Sequence, residues 1–541
     1  MATPLISDFL NNCNLPYVQN LHNTDKYTIV YSILMNVTTH NGSPQRAVHM
    51  KGWQVMEASN NYDVIIAGTG VGGLYTALCL PDDMRILIIS KRELELCNSA
   101  LAQGGVAAVY KPVDDDNITL HTNDTLIAGG FKNNPDSVKI LVTEAAQEIQ
   151  HILDIGVDFD RDENGMLNRT LEGGHCRRRI FHHKDSTGAE VTAKIRTAVM
   201  NKPNVTILDN ALLCRMKKIN GGFAADILRE GVHSCCTAPY AVLATGGIGR
   251  VYGFTTNSAI ATGDGIAIAY ELGAEIRNLS LIQFHPTAYN NKASRECFLI
   301  SESVRGEGAY LLNCNKERFM HNYDDRLELA PRDVVSRSII LESRKTGSDE
   351  FYLDIRYKGK EYLSERFPMI YDFLMTQGID MGSDLIPIFP CQHYLMGGID
   401  VNTDGETEVS GLYAVGECSH TGVHGNNRLA SNSLLEALVF GHRAADDIAG
   451  KFKSEAALPP FSFPADSPDA VHIPEGIRTE IRSIMQKSFF VIPDKQKALE
   501  GFERVTAIKK DLENGCYIID RDFVEAHSLA VCAYLILKEV I

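Results

Sequence analysis

Apolar positions along this chain fall into two patterns: short unbroken runs rich in branched residues, and longer stretches with helical spacing. Residues 62–67 (YDVIIA) form the first clear run, which predicts a short strand buried on both faces, as in a parallel sheet. Gly68-Thr69-Gly70-Val71-Gly72-Gly73 follows at once, and residues 74–80 continue with helical spacing. Residues 85–90 (RILIIS) predict a second strand. Residues 240–247 (YAVLATGG) and 412–416 (LYAVG) repeat the strand-into-glycine pattern far downstream. Residues 477–485 and 497–512 carry apolar spacing with charges between, and 533–540 read as the end of a last helix. No internal repeat is present.

Strand, GxGxxG turn, helix and strand in that order are the context in which the glycine motif is informative. The glycines let backbone N–H groups approach a pyrophosphate, and the helix N-terminus adds a favourable dipole. The bland alternative is a glycine turn that only packs helix on strand. Gly68, Thr69, Gly70, Val71, Gly72 and Gly73 are therefore candidate cofactor contacts. The second strand ends in Ser90-Lys91 and not in the acidic residue that would hold a ribose, so Lys91 is expected over the adenosine or phosphate region. A nucleotide domain that returns at 240 and 412 after long insertions suits the length of FAD better than NAD.

Composition narrows the partners. The 541 residues call for two or three domains, and 44% hydrophobic with 22% charged residues is a globular balance. A net charge of -16 makes nucleic acid a poor partner, while a local arginine cluster still allows an anionic substrate. The 13 cysteines include no CxxC pair, so free thiols in a reducing cytoplasm are expected, with no metal site. No apolar run is long enough to span a bilayer. Residues 1–61 lack periodicity and read as an extension, either poorly ordered or preceding a natural start at Met50 or Met56.

Residues 98–108 (NSALAQGGVAA) resemble the flavin-contacting segment of the succinate dehydrogenase, fumarate reductase and L-aspartate oxidase flavoproteins. Further matches follow in order: Gly263-Asp264-Gly265, Gln283-Phe284-His285-Pro286-Thr287, residues 302–308 (ESVRGEG), Pro331-Arg332-Asp333, His393-Tyr394, Gly416-Glu417 and residues 427–433 (NRLASNS). The resemblance runs from about residue 63 to the C-terminus. It implies FAD contacts at Asn98, Ser99, Ala102, Gln103, Gly104, Gly105, Asp264, Glu417, Ser433 and Leu434. The membrane dehydrogenases carry a flavin-linked histidine at the position of Asn98, so noncovalent FAD is implied here. Residues 171–179 (LEGGHCRRR) look like the aspartate oxidase branch, in which Glu172 orients toward a substrate amino group.

A four-carbon dicarboxylate needs cationic or hydrogen-bonding partners at both ends, and the planar arginine fork suits a carboxylate. By resemblance Arg428 and His393 hold one carboxylate and His285 the other, with Gln283 and Ser301 assisting. Relatives in this family often carry threonine at Ser301. Arg332, Glu302 and Arg305 match the proton-relaying residues of the fumarate-reducing relatives. The bland alternatives are a helix-face ion pair for Glu302 and Arg305, a helix-start position for Arg332, and a core histidine at 285. The implied reaction takes L-aspartate to iminoaspartate, with oxygen or fumarate as final acceptor. It would be the first step of NAD synthesis, with quinolinate synthase as the consumer of the product. A soluble fumarate reductase or succinate dehydrogenase flavoprotein, and a noncatalytic FAD escort, are the competing readings.

The expected architecture is α/β: a doubly wound FAD domain from 62–279 and 396–445, with an inserted α+β cap at 280–395 that excludes water when closed. Residues 446–473 read as a Pro- and Ser-rich linker, and 474–541 as a helical C-terminal domain. Relatives usually continue past the last helix with a basic tail, so the C-terminus here is either free of a dispensable tail or truncated.

Overall fold

The run at 62–67 does become a buried strand, Val64–Ala67, at the centre of a five-stranded parallel sheet. In the computed structural model, which describes residues 61–111, 115–291, 293–453 and 458–541, the sheet order is Leu412–Ala414, Tyr240–Leu243, Val64–Ala67, Ile86–Ile89 and Val205–Leu208. The expectations for the extension 1–61 fall, except at its last residue, outside the described residues. Residues 59–541 make one compact unit.

The chain builds outward from the first strand in one direction, then returns to its other side through Tyr240–Leu243. That reversal makes a topological switch point, where doubly wound sheets hold ligands beyond the carboxyl ends of the strands. Helix Val71–Cys79 leaves the glycine turn there and packs against helix Asn432–Lys451. Gly68 has φ +119°, and a Cβ on it would lie 2.1 Å from the Ala244 carbonyl oxygen. A Cβ on Gly73 would lie 2.2 Å from the Gly68 oxygen. Both glycines are set by close backbone approach.

A second sheet carries the cap. Its four antiparallel strands run in the order Ile282–Tyr289, Ile386–Leu395, Phe351–Asp354 and Tyr310–Leu312, with helix Arg332–Thr346 packed on the first. The cap has its own apolar core, including Val304, Leu311, Ile339, Leu353 and Ile388. The pairing Gln283 to Tyr394 is followed by Phe284 to Gln392, so His393 is the extra residue of a β-bulge. Bulges re-aim side chains, and this one brings the His393 ring within 4.9 Å of the His285 ring, centroid to centroid.

Two boundaries differ from expectation. Helix Asn432–Lys451 runs past 445, so the linker cannot begin at 446: its apolar stripe (Leu435, Leu438, Val439, Ile448) stays buried to the end. The C-terminal helices Ile477–Ser488, Lys495–Asn514 and Arg521–Val540 do not form a core of their own. Met485, Leu529 and Ile536 share one buried cluster with Ile65, Leu243 and Ile266 of the nucleotide domain.

Gly73→Ala tests the packing directly. It is expected to cost about 1–3 kcal/mol, the usual range for an overpacked site, seen as a lower thermal midpoint and weaker flavin retention. An unchanged midpoint would contradict the close approach described.

Candidate active site

One cleft follows the carboxyl ends of the central strands, with about 1750 Å³ of empty space when its open mouth is included. The glycine turn supplies Gly68, Thr69, Gly70 and Gly72 to one stretch of wall, and Lys91 and Asp264 flank it. Asn98, Ser99, Ala102, Gln103, Gly104, Gly105, Glu417, Ser433 and Leu434 line the middle. Glu172, His285, Ser301, Glu302, Arg332, His393 and Arg428 line the far end.

Two of the expected cofactor residues do not reach this wall. Val71 is fully buried and its N–H donates to Ser99 Oγ at 3.1 Å. Gly73 is taken up by the strand–helix contact already described. Lys91 is on the wall, yet its ammonium is already matched by Asp264 at 2.9 Å and Glu525 at 3.0 Å. Glu525 comes from the last helix, and nothing in its local sequence signals a link to residue 91.

The middle of the cleft suits a flavin. Gln103 Oε1 is buried with no protein partner, and Gln103 lines the wall. Asn98 Oδ1 accepts from the Ser258 N–H at 2.9 Å, and its amide offers no nucleophile for a covalent link. Burial pushes the Glu417 carboxyl up to about 7, while one of its oxygens accepts from the Leu395 N–H at 3.0 Å.

The far end is dominated by guanidiniums. Arg332 Nε donates to Glu302 Oε2 at 2.5 Å, and Arg305 Nη2 lies 3.0 Å from the other Glu302 oxygen. All three groups are buried. Burial pushes the Glu302 carboxyl up, but Arg332 and then Arg305 outweigh it and hold it below the ordinary range. Arg305 lies behind Glu302, and Gln283 likewise sits behind the wall, not on it. Gln283 Oε1 accepts from both Arg332 Nη1 (2.8 Å) and Arg428 Nη2 (3.3 Å). Its own amide donates to Asn427 Oδ1 at 2.7 Å, which fixes its orientation. Gln283, expected as a substrate contact, bridges the two arginines through its Oε1. Ser301 lines the cleft and caps the short helix Glu302–Gly306.

Arg428 has no carboxylate within ion-pair distance among the described residues. It donates to Ser433 Oγ at 2.6 Å and to His393 Nε2 at 3.2 Å, and it lies over the Tyr394 ring at 4.2 Å. Burial, then the nearby Arg332, lowers it to about 10, so it remains charged at neutral pH. His393 Nε2 accepts, so its proton is on Nδ1 and points to Thr256 Oγ1 at 2.7 Å. His285 Nδ1 accepts from the Thr287 N–H at 3.2 Å, which places its proton on the otherwise unpartnered Nε2. Burial and the surrounding arginines hold both histidines well below their ordinary pKa, so both are neutral.

Glu172 makes no ion pair among the described residues, although the charge of Arg332 acts on it. Its oxygens accept from Ser431 Oγ at 2.5 Å and Ser303 Oγ at 3.2 Å, and burial pushes its carboxyl up. The loop bearing it is pinned by Arg179, which is fully buried and pairs with Asp116 at 2.8 Å and Asp124 at 2.5 Å. His175 Nε2 adds a bond to the Ala430 carbonyl at 2.9 Å. The run Arg177-Arg178-Arg179 is thereby given a structural part at its last residue. Thr256, Ser303 and Ser431 were not expected among the site residues; Ser303 lies inside the ESVRGEG segment and Ser431 inside the NRLASNS segment, while Thr256 lies in neither.

A dinucleotide cleft at the switch point, lined at its far end by Arg332 of the cap and by Arg428, belongs to an FAD-dependent oxidoreductase of the succinate dehydrogenase and fumarate reductase flavoprotein class. A family model described as an FAD binding domain matches residues 63–434. The chain is 46% identical to the L-aspartate oxidase of Clostridium perfringens over 391 residues, 71% of this chain and 86% of that protein. It is 37% identical to that of Acinetobacter baylyi over 502 residues, 89% and 91% of the two. The chain belongs to the L-aspartate oxidase family. Among solved structures, the E. coli quinol fumarate reductase FrdA matches with a TM-score of 0.79 at 26% identity over 88% of each chain. Mycobacterium smegmatis Sdh1 matches at 0.76 and 28% identity, over 88% of this chain and 86% of that one.

Glu302→Gln leaves Arg332 and Arg305 without their shared carboxylate. Denaturant unfolding of the holoenzyme is expected to show a loss of about 3–5 kcal/mol, as when one partner of a buried pair is removed. A loss below about 1 kcal/mol, the range of an exposed pair, would contradict the buried network.

Proposed function

We propose that the protein oxidises L-aspartate to iminoaspartate with noncovalently bound FAD, which oxygen or fumarate then reoxidises. The observation that carries this reading is the charge pattern at the far end of the cleft. Among the described residues Arg428 is a buried cation without a carboxylate within ion-pair distance, and Glu172 is a buried carboxylate whose side-chain hydrogen bonds come from hydroxyls. A small amino dicarboxylate supplies the complement of both.

In this reading Arg428 and His393 hold one substrate carboxylate, and the His285 Nε2–H donates to the other. Arg332, partly neutralised by Glu302, adds an electrostatic clamp. The flavin, when bound, supplies a two-electron acceptor for the Cα hydride. The substrate ammonium must first lose a proton. Glu302 is a poor base because two guanidiniums hold it low. Glu172 is the stronger base, because burial raises it and the Ser431 and Ser303 hydroxyls and the Arg332 charge only partly oppose that rise. We assign it the ammonium contact and the proton. Succinate has no cation and would leave Glu172 facing carbon, which disfavours the dehydrogenase reading.

The product is a hydrolysable imine, which fits a place at the start of NAD synthesis with quinolinate synthase as its consumer. Every cysteine among the described residues is free, which fits a reducing cytoplasm. No helix among the described residues is long and apolar enough to cross a membrane.

Anaerobic addition of L-aspartate should bleach the flavin, while D-aspartate, L-glutamate and succinate should not. Bleaching by succinate and not by L-aspartate would move the protein to the dehydrogenase branch, and no bleaching by any would leave an FAD escort. Glu172→Gln is expected to lower kcat/KM for L-aspartate by about 10- to 150-fold, the value of a hydrogen bond to a charged group, without weakening inhibition by succinate. The KM for L-aspartate should rise as pH falls through the raised pKa of Glu172, since the protonated carboxyl no longer attracts an ammonium. The variant should lack this acid limb. An equal loss of aspartate and succinate affinity would contradict the assignment.

A further inference from the structure

Outside the cleft, three helices bring together residues far apart in the sequence. Cys79 closes helix Val71–Cys79, His151 is in the last turn of helix Pro135–Asp154, and His442 is midway along helix Asn432–Lys451. Cys79 Sγ and one ring nitrogen of each histidine all lie within 4.8 Å of one another. None of the three lines the cofactor cleft, and all are half-buried.

The surroundings fix how the imidazoles are presented. Tyr75 donates its hydroxyl proton to Glu148 Oε2, so its oxygen accepts from His151 Nδ1–H at 2.8 Å. Glu148 Oε1 accepts from His442 Nδ1–H at 2.9 Å. Each ring therefore keeps its Nε2 lone pair. A carboxylate or hydroxyl on one ring nitrogen with the other free is the usual outer-shell arrangement of a metal-bound histidine. Asp446 Oδ1 lies 3.8 Å from His442 Nε2 and offers an oxygen as fourth ligand.

We propose that Cys79, His151 and His442 form a site for a borderline-soft divalent cation, Zn²⁺ foremost, with Asp446 or water as the fourth ligand. One thiolate and two imidazoles match the donor preference of Zn²⁺, whose bonds are about 2.0–2.3 Å. Binding replaces the Cys79 S–H bond with an S–Zn bond and releases that proton to solvent. The ion would tie together two helices whose N-terminal ends border the cofactor cleft, at Gly70 and at Ser433-Leu434. Sequence spacing gives no hint of the set, because its ligands come from three distant segments.

The test is titration of chelator-treated holoenzyme with Zn²⁺ and, separately, Co²⁺. The expected result is one equivalent of Zn²⁺ by calorimetry and elemental analysis, with a higher thermal midpoint. Co²⁺ should give a thiolate charge-transfer band and tetrahedral ligand-field bands. Cys79→Ser and His442→Ala should each abolish stoichiometric uptake while keeping bound flavin. No stoichiometric uptake by the unaltered protein, or uptake unchanged in both variants, would overturn the proposal. If either variant loses its flavin, the Co²⁺ spectrum of the unaltered protein decides, and absence of the sulfur band overturns it.

Discussion

Two buried guanidiniums, on Arg332 and Arg428, donate to the same oxygen, Gln283 Oε1. Like charges this close repel strongly where water is excluded. The arrangement persists because other groups hold each arginine from behind. Glu302 neutralises Arg332, while Ser433, His393 and the Tyr394 ring hold Arg428 without cancelling its charge. The excess of positive charge dictates much of what surrounds it. Together with burial it keeps His285 and His393 neutral; it also holds Glu302 ionised and leaves an anion as the natural occupant.

The scaffold delivers these groups from different directions. The bulge in the cap sheet brings His393 to His285, and the start of helix Arg332–Thr346 brings Arg332. The segment before helix Asn432–Lys451 brings Arg428. Glu172 arrives on a loop with little secondary structure, whose position rests on the buried Arg179 and its two aspartates. Strength of placement thus comes from buried charge pairs where regular structure is absent. The last helix closes the opposite end through Glu525 and Lys91, so cofactor wall and C-terminal helices form one body.

The strands and the glycine turn were legible because their chemistry is local: an unbroken apolar run and a glycine at positive φ each announce themselves within a few residues. The chemistry-bearing residues of the cleft were legible through resemblance, since arginines and histidines at 285, 332, 393 and 428 have no shared periodicity. What could not be read is what depends on distant partners. That the Gln283 oxygen lies between two arginines is one such case. The close approach at Gly73, where a Cβ would lie 2.2 Å from the Gly68 carbonyl oxygen, is another. The boundary at 445 failed because the helix there is stabilised by burial that composition alone does not reveal.

The most direct test of the central claim is a crystal structure of the holoenzyme with a bound, unreacted dicarboxylate amino acid. The account requires one carboxylate paired with Arg428 and His393, the other within reach of His285, and the ammonium against Glu172. A carboxylate bound elsewhere, with Arg428 keeping only its protein partners, would contradict the account.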